Sequence, residues 1–282
     1  MIDWKKISKI DAHIHLLPDE VIEANKYDRN KFVEYGSVDS FLKVMVTYNI
    51  KKAFIVPFND PYMLSNDHNI KTVHNNLLKM TEAKEENLYC FADLDINNNI
   101  DDTLKEFDRI LGNRNFLGIK VHPTNTGYPI DGSYYEKIFA YAHEKNVLVE
   151  VHSYPRESLK DDVCSPSRIN KILDKYPNLR LSIAHLGGYQ YKELLSRKVY
   201  FNISAILNDF TDRLGIKKTN EILRQIGIDR LIFATDFPDN RFLEPKLIYD
   251  KYFEILGKLD FNYKEAEDIC MNNALRMIDN KL

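Results

Sequence analysis

The chain has 282 residues, a net charge of −3, and a hydrophobic fraction of 44%. This is enough for a large core, either in one barrel-type domain or in two smaller domains. The small negative charge gives no argument for nucleic acid or an anionic membrane as a partner. No stretch is apolar for long enough to cross a bilayer, and residues 1–9 lack the apolar core of a signal peptide.

The cysteines are widely spaced and odd in number, at Cys90, Cys164 and Cys270. This pattern is typical of a reducing compartment without a disulfide framework. Each cysteine is therefore interpreted as a small buried hydrophobic residue, and a cytoplasmic protein is expected. The sequence does not determine the oligomeric state, and a homo-oligomer is one possibility.

Apolar runs rich in β-forming residues alternate with segments of helical period along the chain. Several runs are almost continuously hydrophobic, as at 53–56 and 147–149, which is typical of parallel strands covered by helices. The strand candidates are residues 7–15, 52–58, 88–94, 116–122, 147–152, 180–185, 199–205 and 231–236. Helical patterns between them include residues 40–46, 103–111 (before Gly112), 133–145 and 219–227.

Eight such alternations favour a (β/α)8 TIM barrel, as a single domain over residues 1–282, rather than an open doubly wound sheet. The open sheet would usually carry a glycine-rich dinucleotide loop after its first strand, and this chain has none there. In a barrel the reaction centre lies at the carboxyl ends of the strands. Polar residues end several predicted strands, namely His13, His15, Lys120, His122, His152, His185 and Asp236.

The first predicted strand contains Asp11-Ala12-His13-Ile14-His15. Because strand side chains alternate between faces, Asp11, His13 and His15 are expected to point the same way. Imidazole and carboxylate groups are ligands that zinc and similar ions favour. Together with the other polar strand ends, this pattern predicts a metal site rather than a set of structural histidines. Asp11 is expected to orient one of the ligand histidines.

Five segments of the chain form an ordered set, namely residues 11–15, 118–123, 149–152, 183–188 and 233–238. Together they resemble the amidohydrolase superfamily, and within it the branch called amidohydrolase family 2. That branch contains hydrolases of cyclic esters or amides, and also non-oxidative decarboxylases and hydratases. The resemblance therefore implies the barrel and a divalent metal ion, but more than one reaction.

The resemblance implies that His13, His15, His152 and Asp236 bind the metal, and that Asp236 also handles a proton. His185 matches a histidine that binds a second metal in binuclear relatives. In mononuclear relatives the same histidine faces the substrate or the metal-bound water. One divalent ion, zinc, is the expected cofactor, and a second ion is left open.

Binuclear relatives often place a carboxylated lysine at the end of the fourth strand, where this chain has Lys120. Glu150 is in step with His152 on the next strand, so it also points inward. A buried lysine needs a partner, and an ion pair between an unmodified Lys120 and Glu150 is therefore favoured over a bridging role. His122 has two interpretations of equal weight, a substrate contact or a hydrogen bond in the pocket wall.

The loops after the fifth and eighth predicted strands contain Tyr154, Arg156 and Arg241. Guanidinium groups bind carboxylates at two points, so either arginine is a candidate for holding an acidic substrate, with a surface role as the alternative. Tyr154 is a candidate for the wall of a pocket that takes a flat substrate. His68 and His74 are expected to be exposed, because their spacing does not place them on one helix face.

These patterns predict a metal-dependent hydrolase that acts on a small, cyclic or carboxylate-bearing molecule. Asp236 would accept the proton of an activated water, and His185 would steady the developing oxyanion. The main alternative is a non-oxidative decarboxylase of an aromatic or unsaturated acid, in which Asp236 or His185 protonates the carbon. The alternative from another class is a non-catalytic, metal-stabilised binding protein with a closed ligand shell.

Overall fold

The structure, a computed structural model, describes residues 2–27, 31–57, 69–82, 87–94, 99–154, 162–239 and 244–278. Eight parallel strands follow one another in chain order around a barrel. This confirms the predicted (β/α)8 fold. The strands are β1 Lys9–Ile14, β2 Ile50–Ile55, β3 Leu88–Ala92, β4 Phe116–Val121, β5 Leu148–Val151, β6 Leu181–Ile183, β7 Tyr200–Asn202 and β8 Leu231–Ile232.

The barrel closes between its first and last strands. Ile14 pairs in parallel with Phe237 beyond β8, and the backbone N–H of Asp236 donates to the carbonyl of His13 at 3.0 Å. Closure removes the exposed edges that an open sheet would have. It also places the carboxyl ends of β1 and β8 side by side.

Helices pack outside the strands, and polar residues mark where several of them begin. The Ser37 side chain accepts the Ser40 N–H at 3.1 Å, and that of Asn99 accepts the Asp102 N–H at 3.2 Å; such caps satisfy donors at helix starts. In the described part of the chain the helices are α1 Asp19–Ala24, α2 Lys31–Tyr35, α3 Val38–Thr47, α4 Ile70–Glu82, α5 Ile100–Ile110, α6 Pro123–Thr126, α7 Ser133–Glu144, α8 Pro166–Lys175, α9 Ile206–Ile226, α10 Pro245–Lys258, α11 Tyr263–Glu267 and α12 Asn273–Met277. A 3₁₀ segment with non-helical backbone at residues 185–188 occupies Ala184–Leu194, a short 3₁₀ turn occupies Ile228–Arg230, and a π-helical turn occupies Asp268–Asn272.

Strands β4 and β5 are packed so closely that only glycine fits at one point between them. A Cβ atom at Gly118 would lie 2.1 Å from the carbonyl oxygen of Leu148. Further along the same pair of strands, Lys120 is the direct partner of Glu150. Gly118 is paired with Leu148 in this same register, so the strand pairing that requires glycine at one point also places this lysine and this glutamate next to each other.

The cysteines follow the prediction, because Cys90, Cys164 and Cys270 are all buried and free. Burial raises the pKa of Cys164 and of Cys270 to about 12. No helix among the described residues is long and apolar enough to span a membrane.

His74 is buried, so the prediction that it is exposed is wrong. Its Nδ1 lies 3.1 Å from Oε1 of Glu106 on α5, and its Nε2 accepts the backbone N–H of Asp93 at 2.9 Å. Burial lowers the pKa of His74 to about 4. The helix-face rule compares residues on one helix, so it cannot detect a partner such as Glu106 on the neighbouring helix. His68 lies outside the described residues.

Candidate metal centre

The predicted ligands meet at the carboxyl end of the barrel. His13 belongs to β1 and His15 follows it, whereas His152, His185 and Asp236 follow β5, β6 and β8. His13, His15 and His185 are buried, His152 is half-buried, and the Asp236 side chain is 20% exposed. The strand-end rule therefore places these residues correctly, at the end of the barrel where catalytic groups collect.

His13 and His15 both approach one oxygen of Asp236. Their Nε2 atoms lie 3.2 and 3.3 Å from Asp236 Oδ1. The opposite ring nitrogens are fixed, since Nδ1 of His13 lies 2.8 Å from Glu150 Oε1 and Nδ1 of His15 lies 2.9 Å from the Val56 carbonyl. Carboxylate and carbonyl oxygens accept hydrogen bonds, so both Nδ1 atoms carry the hydrogen. When both rings are neutral, as metal ligands are, their Nε2 atoms direct lone pairs at the same carboxylate oxygen.

Three lone-pair atoms that converge in this way need a cation or a proton between them. The pKa of Asp236 is held well below its usual value: burial works to raise it, but the contacts of its carboxylate with the His13 and His15 rings outweigh burial. His13, His185 and Asp236 also offer ligand atoms that all lie within 4.8 Å of one another. Imidazole and carboxylate ligands suit zinc and other divalent transition metals. The residues present therefore fit a divalent metal ion.

His152 joins this group through His185. Nδ1 of His185 lies 2.9 Å from the Ser204 carbonyl, which only accepts, and its Nε2 lies 3.1 Å from Nδ1 of His152. Burial lowers the pKa of His185 to about 3 and that of His152 well below its usual value. Both rings are therefore neutral, His152 donates to His185, and Nε2 of His152 is left as the lone-pair atom that a metal could use.

His122 forms part of the wall of the site. Its ring stacks on His152 with centroids 3.9 Å apart, and its Nδ1 accepts the Asn125 N–H at 3.3 Å. Burial lowers its pKa well below the ordinary value, so the ring is neutral. Of the two interpretations of His122, these contacts support the hydrogen bond in the pocket wall.

The predicted ion pair between Lys120 and Glu150 is not formed. Glu150 Oε1 is occupied by His13 Nδ1 and by Asn202 Nδ2, at 2.8 and 2.7 Å. Nζ of Lys120 is buried and has no hydrogen-bond partner among the described residues. Strand alternation predicted correctly that both residues lie next to each other, but it does not indicate which donor binds the Glu150 carboxylate. That Lys120 is free of carboxylation stays a prediction.

Two residues at the end of β7 belong to the site and were missed. Asn202 donates to Glu150, and its Oδ1 accepts from the Ser204 hydroxyl at 2.6 Å. Since the Ser204 carbonyl accepts from His185, these two residues connect the carboxylate that holds His13 with the histidine that holds His152. Asn202 and Ser204 alternate in step at a strand end, so the rule used for the histidines could have found them.

Asp11 does not contact the ring of a ligand histidine, contrary to the prediction; it reaches only the backbone N–H of His13, at 3.5 Å. Its carboxylate accepts the backbone N–H of Thr235 at 3.0 Å, the Thr235 hydroxyl at 2.6 Å, and the hydroxyl of Tyr249 on α10. The pairing of β1 with β2 is irregular between Asp11 and Ile14, which breaks the strict alternation. Asp11 therefore fixes the backbone just before Asp236, and Glu150 is the residue that orients a ligand ring.

The backbone is in the left-handed region at two of the site residues. The φ angles are +57° at His185 and +67° at Asp236. Residues other than glycine adopt this region at a cost, and such residues cluster at functional sites. At Asp236, the hydrogen bond from its N–H to the His13 carbonyl holds this conformation.

The predicted substrate contacts are only partly described. The Tyr154 ring lies 5.4 Å from the His185 ring between centroids, and its hydroxyl bonds to the Asp209 carboxylate. Tyr154 is thus at the edge of the site. Arg156 and Arg241 lie outside the described residues, so their role as substrate contacts stays a prediction.

Comparisons with known proteins support an enzyme of this type. Residues 10–279 match the family model described as Amidohydrolase. A comparison with curated protein sequences finds no match.

Among solved structures, 2,6-dihydroxybenzoate decarboxylase from Rhizobium matches with a TM-score of 0.73 and 13% identity, over 98% of this chain and 99% of that one. The 5-carboxyvanillate decarboxylase from Novosphingobium aromaticivorans, complexed with manganese and 4-hydroxy-3-methoxy-5-nitrobenzoic acid, matches with a TM-score of 0.72 and 14% identity, over 98% of this chain and 97% of that one. A dihydroxybenzoic acid decarboxylase from Polaromonas with bound manganese and 2-nitroresorcinol has a TM-score of 0.69 and 13% identity, over 98% of each chain. At these identities the likeness shows the fold.

Proposed function

Because the chain belongs to the amidohydrolase family, we propose that it is a metal-dependent decarboxylase of an aromatic or unsaturated acid with an oxygen next to the carboxylate. The observation that carries the proposal is the convergence of the Nε2 atoms of His13 and His15 on Asp236 Oδ1. Full-length structural matches to decarboxylases, two of them with bound manganese, support a lyase over the hydrolase expected first. They also make manganese a candidate beside zinc.

His13, His15 and Asp236, together with Nε2 of His152, would hold the metal ion. When bound, it would bind the substrate's carboxylate and neighbouring oxygen and stabilise negative charge on both. One ion is proposed rather than two, because both ring nitrogens of His185 already have partners, the Ser204 carbonyl and His152.

Asp236 is suited to carry the proton that decarboxylation requires. Its low pKa leaves it ionised before substrate binds, and a metal ion at the site would acidify a hydroxyl next to the substrate's carboxylate, so that Asp236 could take its proton. It then gives this proton to the carbon that bears the carboxylate. The bond from that carbon to the carboxylate breaks, carbon dioxide leaves, and the electron pair returns to the ring. The product is released as a phenolate that takes a proton from water.

The test is a product assay with the manganese-loaded and the zinc-loaded protein. A panel of hydroxylated benzoates and unsaturated acids is incubated in heavy water, and carbon dioxide is measured alongside the NMR spectrum of the product. We expect carbon dioxide release and one deuterium at the carbon that carried the carboxylate. Conversion of lactones or cyclic amides without carbon dioxide would contradict the proposal.

Hydrolysis remains the second candidate, since one observation favours it. An ionised Asp236 next to a metal position can also accept the proton of an attacking water. Cyclic esters and amides therefore belong in the same panel, and incorporation of labelled oxygen from water would identify this reaction.

A non-catalytic binding protein is the third alternative, and the metal environment separates it from the enzymes. His13, His15, His152 and Asp236 would form a closed shell in a structural site. An absorption spectrum of the cobalt-substituted protein distinguishes four-coordinate from five- or six-coordinate metal. We expect the higher coordination number, because a catalytic ion keeps a position open to water or substrate.

A further inference from the structure

We propose that the ammonium group of Lys120 binds the substrate's carboxylate and makes the site selective for acids over neutral molecules of the same shape. The inference rests on the proposed function, and it adds a residue that determines specificity. Lys120 is 1% exposed, and its Nζ has no hydrogen-bond partner among the described residues. A buried cation without a partner is costly, so this group needs an anion that the protein itself does not supply.

The nearest carboxylate in the sheet does not take this role. Glu150 is the direct strand partner of Lys120, but its Oε1 accepts from His13 and from Asn202. The pairing of Gly118 with Leu148 and that of Lys120 with Glu150 belong to the same register of β4 and β5.

Lys120 lies within electrostatic reach of the metal position. Burial works most strongly against the charged forms of His13, His15 and His185, and the charge of Lys120 adds to that effect, although contacts with Asp236 and Glu150 leave the pKa of His13 raised overall. Burial lowers the pKa of Lys120 itself, whereas the negative charges of Glu150, Asp236 and Asp93 work in the opposite direction. An acid whose carboxylate reached both the metal position and Lys120 would be held at two points, and its amide would lose the ionic contact.

The experiment compares each acid with its own amide on the manganese-loaded full chain. Calorimetric titration with benzoate, salicylate and crotonate, and with benzamide, salicylamide and crotonamide, gives the preference of the wild type. Lys120→Met removes the ammonium. Lys52→Met removes the same charge from β2, where Lys52 bonds to the Tyr89 hydroxyl at 3.0 Å, outside the site.

We expect the wild type to prefer at least one acid to its amide by about tenfold to a hundredfold, the range for a hydrogen bond to a charged group. Lys120→Met should reduce that preference to less than about threefold and keep its manganese, whereas Lys52→Met should keep the preference. If Lys120→Met does not fold, Lys120→Gln is titrated in the same way, and Lys120→Arg should keep part of the preference, because it keeps the charge.

Several results would overturn the inference. The first is an unchanged preference for acids in Lys120→Met. The second is a wild type that prefers no acid in the panel to its amide. The third is loss of manganese in Lys120→Met together with a carbamate signal at Lys120 after growth of the wild type with ¹³C-bicarbonate. The last result would identify a carboxylated lysine as a metal ligand. These binding measurements do not depend on turnover, so a failure of the decarboxylase proposal would show in the carbon dioxide assay alone.

Discussion

Two buried histidine–carboxylate contacts in this molecule look alike and differ in their hydrogen bonding. Between α4 and α5, His74 has a carboxylate acceptor for Nδ1 and a backbone donor for Nε2. At the barrel mouth, His13 has a carboxylate acceptor for Nδ1, but its Nε2 faces a second carboxylate, that of Asp236. Every polar atom of the first ring is matched, whereas the second ring, in its neutral form, presents an acceptor to an acceptor.

The difference shows what distinguishes a site from a structural contact. Burial does not distinguish them, because both histidines are almost fully buried. The proximity of a carboxylate does not distinguish them either, since both rings have one. The distinguishing feature is a group of converging acceptors without a donor, which only a cation or a proton can complete. The following predictions test this contrast.

The largest effect is expected from Asp236→Asn, which should lower turnover by about 100-fold to 10,000-fold once a substrate is known, because the amide cannot accept the proton. Metal content is measured beside turnover, since the amide oxygen can still coordinate weakly. The matched control is Glu106→Gln, which removes the carboxylate beside His74 and should leave turnover unchanged. Normal turnover in Asp236→Asn with its metal in place would transfer the proton role to His185.

The next effect concerns the residue that orients His13. Glu150→Gln should weaken manganese or zinc binding by about tenfold to a hundredfold, because a ligand histidine loses the carboxylate that fixes its tautomer. The measurement is a competition titration with a chelating dye. His74→Gln serves as the control and should bind the metal with wild-type affinity. Equal losses in both variants would mean that the two contacts do not differ in function.

His74→Leu should affect the stability of the protein rather than its metal binding. The backbone N–H of Asp93 and the Glu106 carboxylate would both lose a partner, and an unsatisfied buried group costs about 1–3 kcal/mol. Urea unfolding should therefore show a free energy of unfolding lower by about that amount. Metal affinity of the folded protein should not change. A stable variant that has lost its metal would contradict the assignment of His74 to structure.

The smallest effect is a dependence of stability on pH that belongs to His74. Its pKa of about 4 in the folded protein lies below the ordinary 6.5, so the unfolded chain binds the proton first and stability falls as the pH is lowered below 6.5. Between pH 7.5 and 5.5 this contribution is about 1 kcal/mol. His74→Gln should lose less stability than the wild type over the same interval, as measured by urea unfolding at each pH. Equal losses would contradict a neutral His74.

The strand pattern of the sequence was sufficient to predict the barrel. Continuous apolar runs identified all eight strands, although the structure shortens most of them; β8 is only Leu231–Ile232 where residues 231–236 were expected. The reason is that the backbone is irregular at the carboxyl ends of the strands, where the site side chains lie. Asp236, at a positive φ, is one such irregular position. A pattern of period two does not indicate where regular strand geometry ends.

The site could be predicted as a set of residues but not as a network. The strand-end rule placed His13, His15, His152, His185 and Asp236 at one end of the barrel. Which partner each ring takes depends on competition among neighbouring strands, and the sequence carries no ranking of these partners. Glu150 is the clearest case, since it was assigned to Lys120 and in the structure bonds to His13 and Asn202.

The seam between β1 and β8 has a consequence for how the protein folds. The hydrogen bond from Thr235 to Asp11 joins residues 224 positions apart, and the adjacent pair His13 and Asp236 meets only when this seam forms. In the unfolded chain the histidines of β1 are present without their acid, so a metal ion binds the native state selectively and adds its binding energy to stability. Joining such distant segments is slow, because the entropy of a long loop is lost before the contacts form. The time course of metal uptake during refolding should therefore report the moment at which the barrel closes.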